Sequence, residues 1–239
     1  MTNINNNKKG KKKMRIAPTC KKYLNSKEMD YVLWFLFQKF SYQRQEREGC
    51  SDNSEDWRYA YKKETDEEIL KKMSKSSLRR NLPKLKRLGL ITETKDAKGK
   101  KVYLLKHNFI EESERGYVLI PKDKIDYLIS LNNSALKTYL YLVKLSRHGE
   151  IEAYPKRQKI CEEIGLSIES DTLISAYTKT LKKLGLIDIR TEECTNEDGH
   201  YYTKNYYKVL GFEKVNVKEE VKKIQTEKEE EFYDEEIIW

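Results

Sequence analysis

Several residue types are scarce in this chain, and each scarcity removes a class of function. Its three histidines (His107, His148, His200) are scattered and form no His-x-His pair, so a metal-assisted nucleophilic tyrosine of the nicking kind has no support. The four cysteines (Cys20, Cys50, Cys161, Cys194) lie too far apart for zinc-ligand spacing and read as reduced thiols. No glycine-rich loop ends in Gly-Lys-Ser/Thr, so the phosphate cradle of a nucleotide hydrolase is missing. Paired catalytic carboxylates are wanting too. The acids of Thr65–Glu68 sit at a helix start, and Glu192-Glu193 reads as the solvated face of a strand. No enzymatic activity, cofactor or metal is therefore expected. The longest apolar run, Tyr31 to Phe37, is seven residues, far short of a membrane span of about 20. The lysine-rich N-terminus has no apolar signal segment behind it, so the expected location is the cytoplasm.

What the chain has in quantity is charge. Charged residues make up 36% of its 239 residues and hydrophobic ones 38%, so any core is small. The length has room for two domains of about 100 residues plus tails. The net charge of +9 is unevenly spread. Residues 1–22 carry eight Lys/Arg and no acid, whereas residues 213–239 carry ten Asp/Glu against five Lys, a local −5. Removing that tail leaves +14 on residues 1–212, a balance that points to a polyanion as partner. The basic stretch up to residue 25 is too poor in apolar residues to fold. It reads either as an arm that tracks phosphates or a minor groove, or as a solubilising leader. The acidic tail reads either as a docking segment for a host replication protein or as a solvated end.

A repeat organises the rest. Leu85-Lys86-Arg87-Leu88-Gly89-Leu90-Ile91 returns as Leu181-Lys182-Lys183-Leu184-Gly185-Leu186-Ile187. In each copy an apolar helical stripe stops at a glycine suited to a C-terminal cap, and a Leu-Ile pair then opens a strand. A period this long fits a duplicated domain better than a solenoid unit.

Upstream, Ser26 is positioned to cap a helix whose Met29, Leu33, Leu36, Phe37 and Phe40 form one apolar face. A polar loop over 41–56 follows, then a short strand with Trp57, Tyr59 and Tyr61 alternating. Thr65 to Glu68 has the form of a capping box and predicts a second helix reaching about Met73. A third helix is expected from Ser77 to Leu88, then a hairpin over 90–95 and 101–105 with its tip at Ala97 to Lys100. Residues 106–116 form the candidate linker. The second copy opens with a strand from Tyr117 to Ile120, ended by Pro121. A helix from Asn133 carries Leu136, Leu140 and Val143 inward and stops at Gly149. Ile151 to Tyr154 is the next strand, Pro155 the first position of the following helix, Gly165 a sharp turn, and Ser170 a helix cap. A tyrosine-rich hairpin turning at Asp198-Gly199 closes it.

The fold class expected is α+β: two winged helix-turn-helix domains, each of three helices and a small hairpin wing, between a disordered basic arm and an acidic tail. The boundaries are 1–25 for the arm, 26–105 and 117–212 for the domains, 106–116 for the linker and 213–239 for the tail. A core stripe fixes what lies opposite it on a helix. With Leu78, Leu82 and Leu85 inward, Ser76, Arg79, Arg80 and Arg87 face out, with Lys84 beside them. With Ile174, Thr178 and Leu181 inward, Thr172, Ser175, Lys179 and Lys183 face out. Both outer faces lack acids and carry donors suited to phosphates and base edges. Lys98, Lys100 and Lys101 in the first wing, and His200, Tyr201 and Lys204 in the second, are placed for backbone or minor-groove contact. The ordinary alternative for each face is a solvated cationic surface. Pro83 interrupts the first pattern, because an interior proline removes a helical hydrogen bond.

The run from Ser76 to Ile91 (SSLRRNLPKLKRLGLI) resembles the end of winged helix-turn-helix proteins, where a recognition helix, a glycine and a Leu-Ile pair follow in turn. The stretch from Lys159 to Ile187 is similar in the same way. The tandem arrangement resembles replication initiators and regulators of plasmids and phages in low-GC Gram-positive bacteria. That resemblance implies sequence-specific binding of double-stranded DNA, with two helices in major-groove segments about 34 Å apart. The function expected first is replication initiation on a mobile element. Transcriptional regulation of such an element is the alternative, and a helicase-loader or partition adaptor using its winged helices for protein contacts is a third reading.

Overall fold

The computed structural model describes residues 14–40, 57–106, 116–195 and 197–211. The lysines of residues 8–13, the 41–56 loop, most of the expected linker and the acidic tail lie outside the described residues. The protein is an α+β fold with antiparallel sheets.

The elements run twice in the same order. The first series is β1 (Met14–Pro18), α1 (Lys21–Leu24), α2 (Tyr31–Phe40), β2 (Trp57–Tyr61), α3 (Lys62–Leu70), α4 (Lys75–Arg87), β3 (Ile91–Lys95) and β4 (Lys101–Lys106). The second is β5 (Tyr117–Pro121), α5 (Ile125–Leu128), α6 (Asn133–Leu145), a single bridging residue Ala153, α7 (Arg157–Ile164), α8 (Asp171–Lys183), β6 (Ile187–Thr195) and β7 (Tyr201–Val209). The sheet of the first series has the order β2-β4-β3. In the second, Ala153 pairs with Tyr207 of β7, which pairs with β6, so the order repeats. The two leading strands pair antiparallel with each other, Ile16 opposite Leu119. Equivalent strands joined in this way are what an internal two-fold relation generates.

Local chemistry repeats with the topology. Asp30 Oδ1 accepts the Leu33 N–H at 3.0 Å to cap α2, and Asn132 Oδ1 accepts the Ala135 N–H at 2.8 Å to cap α6. At the C-terminal ends of α4 and α8, Leu90 N–H reaches Leu85 O and Leu186 N–H reaches Leu181 O, each at 3.0 Å across a left-handed glycine (Gly89 φ 69°, Gly185 φ 65°). This is the six-to-one bond of a Schellman cap, and it turns each helix directly into its hairpin.

The core is continuous between the two series. Helix α2 buries Tyr31, Leu33, Trp34, Phe35, Leu36, Phe37 and Gln38, and α6 buries every residue from Ala135 to Val143. The single apolar face expected for α2 was too narrow. The helix is covered all round because β1, α4 and α6 pack on different sides of it. Polar bonds join the halves as well. Asn133 Oδ1 accepts the Tyr31 N–H at 2.9 Å and its Nδ2 donates to Met29 O at 2.8 Å. The buried Lys137 donates from Nζ to Ser26 O at 2.7 Å, and Lys144 Nζ donates to Thr19 O at 3.0 Å.

These contacts correct several expectations. Residues 14–25 are not a disordered arm: Ile16 and Ala17 are buried in β1, as are Tyr23 and Leu24 in α1. A partner strand supplies the apolar contact that composition alone hid. Lys106 and Gly116 belong to the folded body and not to a linker, since Lys106 ends β4 and Gly116 O accepts from Thr19 N–H at 2.7 Å. Ser26 does not cap α2. It accepts the Glu28 N–H in a preceding turn, and Asp30 takes the capping role. Helix α3 starts at Lys62 and ends at Leu70, so Thr65 is a buried interior residue. Pro155 precedes α7, whose N-cap is Lys156. Ser170 makes no side-chain cap, while Ser167 accepts the Glu169 N–H just before it. Pro83 lies within α4, which nevertheless runs unbroken from Lys75 to Arg87.

Candidate nucleic-acid interface

Helices α4 and α8 present the faces that their apolar stripes dictate. In α4, Leu78, Asn81 and Leu85 are buried, whereas Ser76, Arg79 and Arg80 are exposed. In α8, Ile174, Thr178 and Leu181 are buried, whereas Thr172, Lys179 and Lys183 are exposed. Arg79, Arg80, Lys179 and Lys183 make no ion pair among the described residues, so their charges are available to a ligand.

Other expected residues are engaged. Arg87 points back to the chain ahead of α2, giving two donors (Nε at 3.0 Å and Nη2 at 2.7 Å) to Glu28 Oε1. Lys84 is half-buried and donates to Asn81 Oδ1 at 3.2 Å. Ser175 is half-buried and accepts from Arg157 Nη1 at 2.9 Å, which brings a second cation to the middle of the α8 face. Ser76 rests against Ser74, the N-cap of α4, with hydroxyls 3.0 Å apart.

The repeated phrase conceals a division of labour. Its second residue, Lys86 or Lys182, does not read outward but ties the helix to its hairpin. Lys86 Nζ meets Glu93 at 2.6 Å and Lys182 Nζ meets Asp188 at 2.9 Å. Those hydrogen bonds are the leading reason that both carboxyls are held below the usual carboxylate range. The signal was in the sequence: in each copy an acid follows the lysine by about two helical turns. Lys62, 3.6 Å from Glu93 and 3.4 Å from Asp66, adds α3 to the first cluster. Tyr103 donates to Asp66 Oδ1 at 2.9 Å, and burial first, then Asp66, raises its phenol well above the ordinary tyrosine range.

Asn81 is a residue that the pattern missed. It lies on the inner side of α4 and donates from Nδ2 to Asp30, the residue that caps α2. The orientation of α4 is thereby fixed to the central core helix α2.

The two hairpins differ. In the first, Lys98, Lys100 and Lys101 are exposed around a tip whose Lys98 and Lys100 backbone N–H groups both donate to Asp96 Oδ1, at 3.0 and 2.7 Å. Lys100 Nζ lies 5.3 Å from the Tyr61 ring centroid. In the second, His200 and Tyr201 are exposed at the tip, Tyr201 by 84%. Lys204 is not at the tip. It lies over two rings, 4.1 Å from the centroid of Tyr154 and 4.8 Å from that of Tyr206. Its hydrogen bond with Tyr206 is the first cause of its raised basicity.

Among the described residues, no group of three His, Cys, Asp or Glu is placed to hold a metal ion, and no helix is long and apolar enough to cross a membrane. Comparison with family models, with curated proteins and with solved structures finds no match for this chain.

Proposed function

We propose that this protein binds double-stranded DNA in a sequence-specific manner, using α4 and α8 as the recognition helices of two winged helix-turn-helix units. The observation that carries the reading is the duplicated unit itself. Twice, a helix ending in a Schellman cap passes into a hairpin, and twice its solvent side offers exposed cations that pair with no acid among the described residues (Arg79 and Arg80, then Lys179 and Lys183). A helix held by its inner side on a rigid core, with a hairpin beside it, suits insertion into a major groove with the wing on the flanking backbone. Arginine grips guanine through two donors, so the first helix is the stronger reader and the second contributes more to positioning. The biological role we propose is replication initiation on a plasmid, phage or other mobile element, in line with the tandem arrangement.

The test begins with selection of bound DNA from random duplexes, followed by binding titrations of Arg80→Ala combined with Lys179→Ala on the recovered site. Affinity is expected to fall sharply. The slope of log affinity against log salt should flatten by about 0.9 for each phosphate that is no longer neutralised. Unchanged affinity and slope refute the reading. A minimal plasmid bearing the selected site and this gene then tests the role: it should replicate only when the gene is intact. Repression of its own promoter without replication would make the protein a regulator instead.

A further inference from the structure

We propose that the outer face of the second hairpin is a stacking platform for single-stranded nucleic acid, separate from the faces that read a duplex. The strand register sorts its residues. Tyr207, Val209 and Ile187 are buried on the side facing α6 and α8. On the opposite side Arg190 pairs across the ladder with Tyr206, Glu192 with Lys204, and Cys194 with Tyr202. Ala153 bridges to Tyr207, so Tyr154 falls beside Tyr206 on that same outer side, the ring centroids 5.7 Å apart and tilted by 51°.

Three features make this face a platform. The rings are open to solvent: Tyr154 is 60% and Tyr202 51% exposed. Tyr154 and Tyr206 are tilted and so do not stack on each other; Lys204 holds a cation at both rings, while Arg190, 4.2 Å from the Tyr206 centroid, is itself paired with Glu152 at 2.8 Å and with Glu192. The face also connects to the duplex-reading side, because Arg157 follows Tyr154 by three residues and donates to Ser175 on α8. Aromatic faces flanked by cations suit unpaired bases, whose own faces are free, with phosphates beside them. A duplex offers only edges and backbone to such rings.

The feature is also specific to one copy. Aligning the hairpins at Ile91 with Leu105 and at Ile187 with Val209 places Val102 where Tyr206 stands and Thr94 where Arg190 stands. Tyr103 and Tyr207 are buried in both copies, and Val102 is buried where Tyr206 is half-exposed. The second hairpin is longer, with nine-residue strands against five and six, and its added surface is where the rings and cations collect. The scaffold does not require these tyrosines.

The test uses the full chain and fluorescence anisotropy with labelled oligothymidine and oligouridine of about 15 nucleotides, at the upper end of the site size of single-strand binders, alongside the selected duplex. The wild type should bind the single strands. Tyr154→Ala with Tyr202→Ala should weaken that binding roughly tenfold for each stack removed while duplex affinity stays within about twofold, and Tyr→Phe at both positions should restore it. Binding to both oligomers identifies base stacking without sugar choice, and a preference between them names DNA or RNA as the strand taken. No binding of either oligomer by the wild type overturns the proposal. So does a parallel loss of duplex and single-strand affinity in the alanine variant, which would return these rings to the duplex interface. Single-strand binding without duplex binding would refute the proposed function and leave this platform standing.

Discussion

Two glycines with nearly the same backbone angle should behave very differently when replaced by alanine. Gly165 (φ 75°) ends α7 and Gly185 (φ 65°) ends α8. At Gly185 an added Cβ meets nothing within 4 Å, so only the left-handed backbone is penalised, at about 1–2 kcal/mol. At Gly165 the same Cβ would overlap the Asn25 carbonyl oxygen and sit 3.0 Å from its carbonyl carbon. Backbone cannot swing aside as a long side chain does. The segment after α1 must therefore shift, breaking the 2.7 Å bond from Asn25 Nδ2 to Glu162 O and loosening the buried Tyr23 and Leu24. Overpacking adds about 1–3 kcal/mol and the hydrogen bond about 1, for a total of about 3–6 kcal/mol with the backbone penalty. With about 2–4 °C per kcal/mol for a chain of this size, Gly185→Ala should lower Tm by about 5 °C and Gly165→Ala by about 10 °C or more. Urea titrations should order the midpoints in the same way. Limited proteolysis should cut near residues 20–28 sooner in Gly165→Ala alone. Equal shifts in the two variants would refute the idea that the N-terminal segment is locked onto the second half.

Further outcomes follow from the same geometry. His148 accepts the Leu119 N–H at Nε2, and burial lowers its pKa to about 4 from an unfolded value near 6.5. The unfolded chain thus binds the extra proton first. Stability from this group is complete above about pH 6.5 and is lost as pH falls toward 4, by about 3 kcal/mol. His148→Asn tolerates the left-handed backbone (φ 62°) and should abolish that slope in denaturant titrations between pH 6.5 and 5. Asp30→Ala removes the α2 cap and strands the Asn81 amide, so a loss of about 2–3 kcal/mol is expected by urea unfolding. Lys86→Ala with Lys182→Ala removes the same charge as Arg80→Ala with Lys179→Ala but from inward-tied lysines, and should reduce duplex affinity far less in parallel titrations.

How much of this was legible in the sequence depended on whether a residue's partner was near it in the chain. Both hairpins, helices α4 and α8 and their glycine stops are local, and the expected strands at 90–95 and 101–105 lie within one residue of β3 and β4. The N-terminal arm was misread for the opposite reason. Residues 14–18 are a short apolar run in a lysine-rich stretch, and nothing near them in sequence buries it until β5, about a hundred residues away, is set beside them. The same holds for Asp30 and Asn81, for Arg87 and Glu28, and for Lys137 with Ser26, each pair separated by more than fifty residues. At Ser26 a carboxylate four residues on, Asp30, takes the capping role, whereas Tyr61 and Ser170 stand at the N-caps of α3 and α8 without a side-chain cap bond, so a local hydroxyl fixes neither start. On the candidate surface, outward position was readable from the 100° turn of a helix, but engagement was not. Arg80 makes no ion pair among the described residues and Arg87 is tied to Glu28, although both are exposed.

The duplication carries one more consequence under the duplex reading. At an offset of 96 residues most of the holding positions keep their chemistry: Leu78 with Ile174, Leu85 with Leu181, Lys86 with Lys182 and Gly89 with Gly185, although Asn81 stands against Tyr177 and Leu82 against Thr178. The outward positions at the two ends are kept in kind, Ser76 with Thr172 and Arg87 with Lys183, whereas those between are not: Arg79 stands against Ser175, Arg80 against Ala176, and Pro83 against Lys179. The middle of what each helix offers to a groove has diverged. Two identical readers related by an internal two-fold would select a palindrome, as symmetric dimers do. Readers this different must select two unlike half-sites. Selection from random duplexes should therefore recover an asymmetric motif, with the more strongly specified half, rich in guanine, under α4. Exchanging the outward residues, by Ser175→Arg with Ala176→Arg, should move the motif toward symmetry by making the second half resemble the first. A palindromic wild-type site, or an exchange that leaves the recovered motif unchanged, would show that these outward residues do not set the sequence read.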